Sequence, residues 1–125
     1  LEKEGILVVR KNKNIDKDIN SFYVVEHDHN IIGTVALYQY EEMMEIACFA
    51  IHDNYKNLGY GKKLLRFCEQ EAINKNIKNL FILTTQSEHW FIENNFSLTD
   101  RKFIPDERKK TYTLKRNSKY FIKRL

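Results

Sequence analysis

The sequence predicts a mixed α/β (α+β) domain: a mixed central sheet with an antiparallel N-terminal half and a β-α-β unit. Three observations carry this expectation. Two apolar runs flank the turn residues Asp28, His29 and Asn30, as a hairpin requires. A nearly all-apolar run at residues 45–51 is followed by a 3.6-residue apolar period over residues 60–74. A second short apolar run, Leu80-Phe81-Ile82-Leu83, follows that helix.

Taken in order, Ile6-Leu7-Val8-Val9 is extended, and residues 14–20 form a short helix with Asn14 as N-cap. Residues 22–26 and 31–38 are the hairpin strands. The strand at 45–51 is apolar at almost every position, which predicts burial on both faces at the sheet centre. In the helix over 60–74, Leu64, Leu65, Cys68 and Ala72 make one stripe, while Lys62, Lys63, Arg66, Glu69 and Gln70 lie away from it. A short helix over 88–94 ends at the stop signal Asn95, and strand-like runs follow at 111–114 and 120–122.

A chain of 125 residues is one domain's worth, so residues 1–125 are read as a single domain. With 42% hydrophobic and 13% aromatic residues it can bury a core, which argues against global disorder. No apolar run approaches the roughly 18–20 residues of a membrane span, so no membrane partner is expected. Cys48 and Cys68 make no disulfide framework, and a cytoplasmic setting is the default. Both are read as small core hydrophobes. A nucleophilic Cys48 is the sharper alternative, but no neighbouring His or Lys argues for it. The four histidines have no paired ligand spacing, so no metal is expected. The sequence begins at Leu1 rather than Met, and a segment upstream is therefore an expectation.

The net charge is +4, and the basic excess gathers in the last quarter. Such a cluster steers small anions as readily as nucleic acid, and it is also compatible with a plain solvated surface. No recognition helix or stacking platform accompanies it, so no nucleic-acid partner is expected.

The chemistry concentrates between the 45–51 strand and the 60–74 helix, in Lys56-Asn57-Leu58-Gly59-Tyr60-Gly61. A helix N-terminus presents unpaired N–H groups and the positive end of its dipole, which together bind anions. Glycines at 59 and 61 allow close approach of phosphate oxygens, with Lys56 and Lys62 adding charge. The pattern is not Walker A, since no Gly-Lys-Ser/Thr follows, and it lacks the third glycine of a dinucleotide fingerprint.

This loop, after a strand and before an amphipathic helix, resembles the pyrophosphate loop of the GNAT superfamily of N-acetyltransferases. The resemblance implies the GNAT fold and acetyl-CoA as cosubstrate. It assigns the pantetheine arm to the backbone of Cys48, Phe49, Ala50 and Ile51, and the phosphates to Lys56, Asn57, Leu58, Gly59, Tyr60, Gly61 and Lys62. Further segments are similar to the acetyltransferase domain of bacterial N-acetylglutamate synthases. They are Gly5-Ile6-Leu7-Val8-x-Arg10, Ile31-Ile32-Gly33 with Ala36-Leu37-Tyr38, and Glu45-x-Ala47-Cys48-x-Ala50-Ile51-His52. They continue through Leu80-Phe81-x-Leu83-Thr84-Thr85, then Ser87-x-His89-Trp90-Phe91 with Asn95-Phe96, to Arg116-Asn117-Ser118-Lys119. Asp53 stands where Pro is common and Lys56 where Arg or Gln is usual. The amino-acid-kinase-like domain of many such synthases is absent from this sequence, as an excised domain or a short form would have it.

The resemblance implies N-acetylation of L-glutamate, the first step of arginine biosynthesis. It places Arg10, Arg116 and Ser118 at the amino-acid site, where a dicarboxylate asks for the planar fork of Arg. Surface charge is the plain alternative for both arginines. Glu45, opening the central strand, is the base candidate, because desolvation would raise a carboxylate towards useful proton affinity. Thr84 matches a Ser/Thr position suited to protonating the leaving thiolate, with Tyr112 as the second donor. Ser87 and Trp90 fall to the coenzyme, although Trp90 and Phe91 read equally well as core. Two other readings stay open: an acetyltransferase for a different amino acid or amine, and a non-catalytic coenzyme-binding module. A homo-oligomer is compatible with the sequence but not required by it.

Overall fold

The computed structural model describes residues 8–11, 21–84, 87–105 and 119–125. The chain falls into two compact units, Leu1–Tyr38 with Ile46–Glu71, and Gln39–Glu45 with Ala72–Leu125.

In the first unit, β1 (Val8–Lys11) pairs antiparallel with β2 (Ser21–His27), which pairs antiparallel with β3 (Asn30–Tyr40). The β2–β3 connection is a two-residue turn with positive φ at both Asp28 (51°) and His29 (67°). That geometry is the primed turn whose twist suits a hairpin. One irregularity interrupts the ladder, a register shift between Val25 and Glu26. The strand β4 (Met43–Ile51) enters this unit from Ile46 onward. It is tied to β3 by His52 N–H donating to the Ile32 carbonyl at 2.6 Å. The helix α1 (Tyr60–Asn74) matches the predicted span, and Leu64, Leu65 and Cys68 of its stripe are buried in this unit. Each buried leucine contributes about 1.5–3 kcal/mol. Tyr23 fastens the helix to β2, its ring 4.9 Å from that of Phe67 and its hydroxyl donating to Glu71 Oε1 at 3.3 Å.

In the second unit, the start of β4 pairs parallel with β5 (Asn79–Thr84) over Met43–Glu45, and β5 pairs antiparallel with β7 (Lys119–Arg124). The short β6 (Ser97–Thr99) closes the other side of β7. The parallel pair around α1 is the expected β-α-β unit. Phe81, Leu83 and Ile104 form a core on which Tyr40, Met43 and Tyr120 pack.

Both helices stop in the same way. After α1, Asn76 adopts φ 60°, Ile77 N–H donates to the Ala72 carbonyl, and Ile77 is buried. After α2 (Glu88–Glu93), Asn95 adopts φ 73°, Phe96 N–H donates to the Phe91 carbonyl, and their rings meet at 5.3 Å. These are left-handed caps with the accompanying apolar contact, built on Asn where Gly is commoner.

Three expectations change. Burial of β4 on both faces holds only for Met44, Glu45 and Ile46, after which exposure alternates. Cys48 is exposed rather than a core residue, whereas Cys68 is fully buried and its thiol is pushed up by desolvation. The strand β6 had no sequence signal, being only three residues long. The predicted helix at 14–20 and the strand at 111–114 lie outside the described residues.

Candidate functional site

The chain leaves β4 at Ile51 through a short 3-10 turn, Asp53–Tyr55, capped by His52, whose Nδ1 accepts from Asn54 N–H at 3.1 Å. Asn57 and Gly59 then take positive φ, 64° and 85°, and turn the chain into α1. A Cβ at Gly59 would meet nothing within 4 Å, so its backbone angle, not crowding, is what asks for glycine. The first intrahelical bond runs from Lys63 N–H to the Gly59 carbonyl at 3.2 Å. The N–H groups of Tyr60, Gly61 and Lys62 therefore precede the helical ladder and face forward as donors. No acidic residue occupies this first turn to cancel the dipole.

Lys56 and Lys62 both stand at this turn with exposed side chains. Lys62 belongs to the first turn itself. Lys56 is engaged, its Nζ 3.0 Å from Asp53 Oδ1. That hydrogen bond and the lysine charge hold the Asp53 carboxyl below the usual carboxylate range. Leu58, at the crest of the turn, is exposed.

Upstream, Cys48 sits in mid-strand with φ 53°, a left-handed conformation costly for a non-glycine residue. Its carbonyl accepts from Thr34 Oγ1 at 2.9 Å, which holds the kink in place. Together Cys48, Phe49, Ala50, Ile51, Lys56, Asn57, Leu58, Gly59, Tyr60, Gly61 and Lys62 belong to the first unit. One continuous stretch, from kinked strand through turn to helix start, carries them all.

Of the other assigned residues within the described chain, Arg10 lies in the first unit and Glu45, Thr84, Ser87 and Trp90 lie in the second. Glu45 is 4% exposed, the one buried charged side chain among the described residues, and its Cα is paired with Phe81 of β5. Thr84 closes β5 opposite Lys119, which opens β7. Lys119 Nζ lies 3.2 Å from Glu88 Oε1 and so ties β7 to the start of α2. Ser87 precedes α2 with φ 63°, and its side chain makes no capping bond. Trp90 is half-buried, with its ring 5.0 Å from Phe91. Arg10 lies on β1, opposite Val24. Tyr112, Arg116 and Ser118 lie outside the described residues.

Sequence reasoning passed over one group that borders the loop. His27, at the end of β2, has its ring 5.5 Å from Tyr60 and 6.2 Å from Tyr55, and these two tyrosines are 6.1 Å apart. No spacing rule joins residues so far separated in sequence. Among the described residues no three His, Cys, Asp or Glu side chains gather as metal ligands, and no helix is long and apolar enough to cross a membrane.

Comparison with known proteins agrees with this geometry. The profile of the acetyltransferase (GNAT) family matches residues 3–92. The amino-acid acetyltransferase of Buchnera aphidicola subsp. Acyrthosiphon pisum is 40% identical over 124 residues, 98% of this chain and 28% of that protein. That of Pasteurella multocida is 38% identical over 127 residues, all of this chain and 29% of that protein. The chain thus spans less than a third of the length of these relatives. Among solved structures, N-acetylglutamate synthase from Neisseria gonorrhoeae, complexed with coenzyme A and N-acetyl-glutamate, superposes with a TM-score of 0.82. It is 31% identical, and the match covers 95% of this chain and 29% of that one. An Elizabethkingia anophelis acetyltransferase with acetyl-CoA bound shares the fold at 20% identity, a TM-score of 0.73, and 98% and 100% coverage. From the strand–turn–helix stretch to the matched profile, the observations agree: the chain belongs to the acetyltransferase (GNAT) family.

Proposed function

We propose that this chain is a single N-acetyltransferase domain that transfers the acetyl group of acetyl-CoA to the α-amino group of L-glutamate. The observation that carries the reading is the turn at Asn57–Lys62, where positive φ at Asn57 and Gly59 leads into a first helical turn whose three N–H groups precede the ladder and which holds no acidic residue. Such a cradle suits the diphosphate of the coenzyme. The amino-acid acetyltransferases and the Neisseria synthase support glutamate as acceptor, and Arg10, Arg116 and Ser118 are the residues assigned to its carboxylates.

In this reading Glu45 takes a proton from the glutamate ammonium, directly or through one water, because only the free amine attacks a thioester. Its place in the buried part of β4 keeps it from bulk water. The amine nitrogen forms a bond to the acetyl carbonyl carbon, the carbon–sulfur bond breaks, and the coenzyme leaves as thiolate. Thr84, or Tyr112, supplies the proton that the thiolate takes up, and the hydroxyl regains one from the attacking nitrogen, which sheds its extra proton as the neutral amide forms. Cys48 to Ile51 orient the pantetheine arm, and Ser87 and Trp90 are further residues assigned to the coenzyme.

The test is release of free coenzyme thiol from acetyl-CoA across a panel of amino acids and amines. Release confined to glutamate is the expected result. Release with another acceptor reassigns the substrate, and coenzyme binding without release with any acceptor overturns catalysis.

A further inference from the structure

One side chain of the hairpin that precedes the site packs against its proposed phosphate turn. The β2–β3 ladder shifts register beside this end of β2: Val25 pairs with Gly33 and Glu26 with Ile31, so the extra residue is Ile32 of β3. A bulge of this kind increases the local twist of the pair. His27 comes next, and the two-residue turn at Asp28 and His29 fixes its pairing with Asn30. The imidazole is 19% exposed and touches Tyr60, the first residue of α1, and Tyr55 of the 3-10 turn. The geometry points to His27 as a positioning residue for the phosphate turn: it braces Tyr60, and its imidazolium form strengthens coenzyme binding. This rests on the coenzyme reading of the turn proposed above.

The physical case has two parts. Tyr60 is the residue from which the forward-facing N–H groups begin, so a ring packed against it limits how that first turn can tilt. Its other basic neighbour is Lys63, whose Nζ lies 5.7 Å from the Tyr60 ring centroid. Tyr55 is also in ring contact with His52, 6.2 Å away, so the whole 3-10 turn is braced from both sides. The second part is charge. Histidine is the side chain whose charge changes between pH 5 and 8. Around His27, among the described residues, stand Asp28, with Oδ2 3.4 Å from Nε2, the rings of Tyr55 and Tyr60, His52 beyond Tyr55, and Lys63 beyond Tyr60. A histidine cation at this place would attract the anionic diphosphate.

The test uses coenzyme A itself as the probe, with binding measured by calorimetry between pH 5.5 and 8. Wild type is compared with His27→Phe, which keeps a ring and removes the charge, and His27→Ala, which removes both. Thermal melts check folding. The ratio of dissociation constants, His27→Phe over wild type, is expected to be about two- to fivefold at pH 5.5 and to approach one at pH 8. Taking the ratio cancels the titration of the ligand's own phosphates. His27→Ala is expected to bind more weakly than His27→Phe at pH 8, where only bracing remains. A ratio that stays flat across the range overturns the charge role, and His27→Ala equal to His27→Phe at pH 8 overturns the bracing role. Wild type that binds no coenzyme at any pH overturns the coenzyme reading of the turn and this inference with it.

Discussion

Gly33→Ala tests how closely β3 and β4 must approach for the site to exist. A Cβ at position 33 would lie 2.7 Å from the Ala50 carbonyl oxygen and 2.8 Å from Ile51 Cδ1, where ordinary contact begins at 3.4 Å. Relief requires movement of 3.4 − 2.7 = 0.7 Å between the two strands. The Ile51 methyl can rotate away. The Ala50 carbonyl cannot, because the hydrogen bond from His52 N–H to the Ile32 carbonyl, 2.6 Å long, holds the strands together beside it. Overpacking of this kind costs about 1–3 kcal/mol. For a domain of this size that lowers the melting temperature by roughly 4–12 °C. Ala50 also belongs to the stretch assigned to the pantetheine arm, so displacement of its carbonyl should weaken coenzyme binding by about tenfold. Thermal melting and calorimetry with coenzyme A read the two effects separately. A variant that melts with wild type and binds coenzyme with unchanged affinity would refute the reasoning, because the strands would then have room the contact distances deny.

Three further outcomes follow from the same geometry. Glu45→Gln keeps the shape of a buried side chain and removes its proton-accepting charge, so turnover should fall about 10²–10⁴-fold with coenzyme affinity little changed. An unaltered rate in steady-state assays removes Glu45 as base. Asp53→Asn releases Lys56 from its 3.0 Å partner, so coenzyme A should bind about two- to fivefold more tightly at low salt. Calorimetry at two salt concentrations measures this, and weaker binding would mean that the pair holds the turn in shape. Arg116→Ala should raise the KM for glutamate sharply and leave that for acetyl-CoA nearly unchanged. Equal loss against both would reassign Arg116 to the coenzyme.

Much of the fold is legible in the sequence because it is encoded locally. Helix α1 announces itself by a 3.6-residue period that any window across it contains, and the stripe of Leu64, Leu65, Cys68 and Ala72 is indeed buried. The hairpin is encoded by its Asp28-His29-Asn30 turn, and the helix stop after α2 by Asn95. The turn proposed to hold phosphate is likewise local, since Gly59 and the helix start stand side by side in the chain. Short β6 escapes such reading, because three residues hold too little of any period.

What only the tertiary structure decides is how distant residues meet. Cys48 belongs to an apolar run that reads as core, yet a left-handed kink held by Thr34 turns it outward. Lys56 reads as a ligand for phosphate, and only the fold shows its Nζ 3.0 Å from Asp53 Oδ1. His27 carries no signal at all, because its contact with Tyr60 depends on a bulge, a turn and a helix axis set by separate parts of the chain. Periodicity and turn chemistry act over a few residues, so sequence alone determines the elements and the glycine turn between them. Register, kinks and ion pairs depend on what packs opposite, and only the folded chain supplies that.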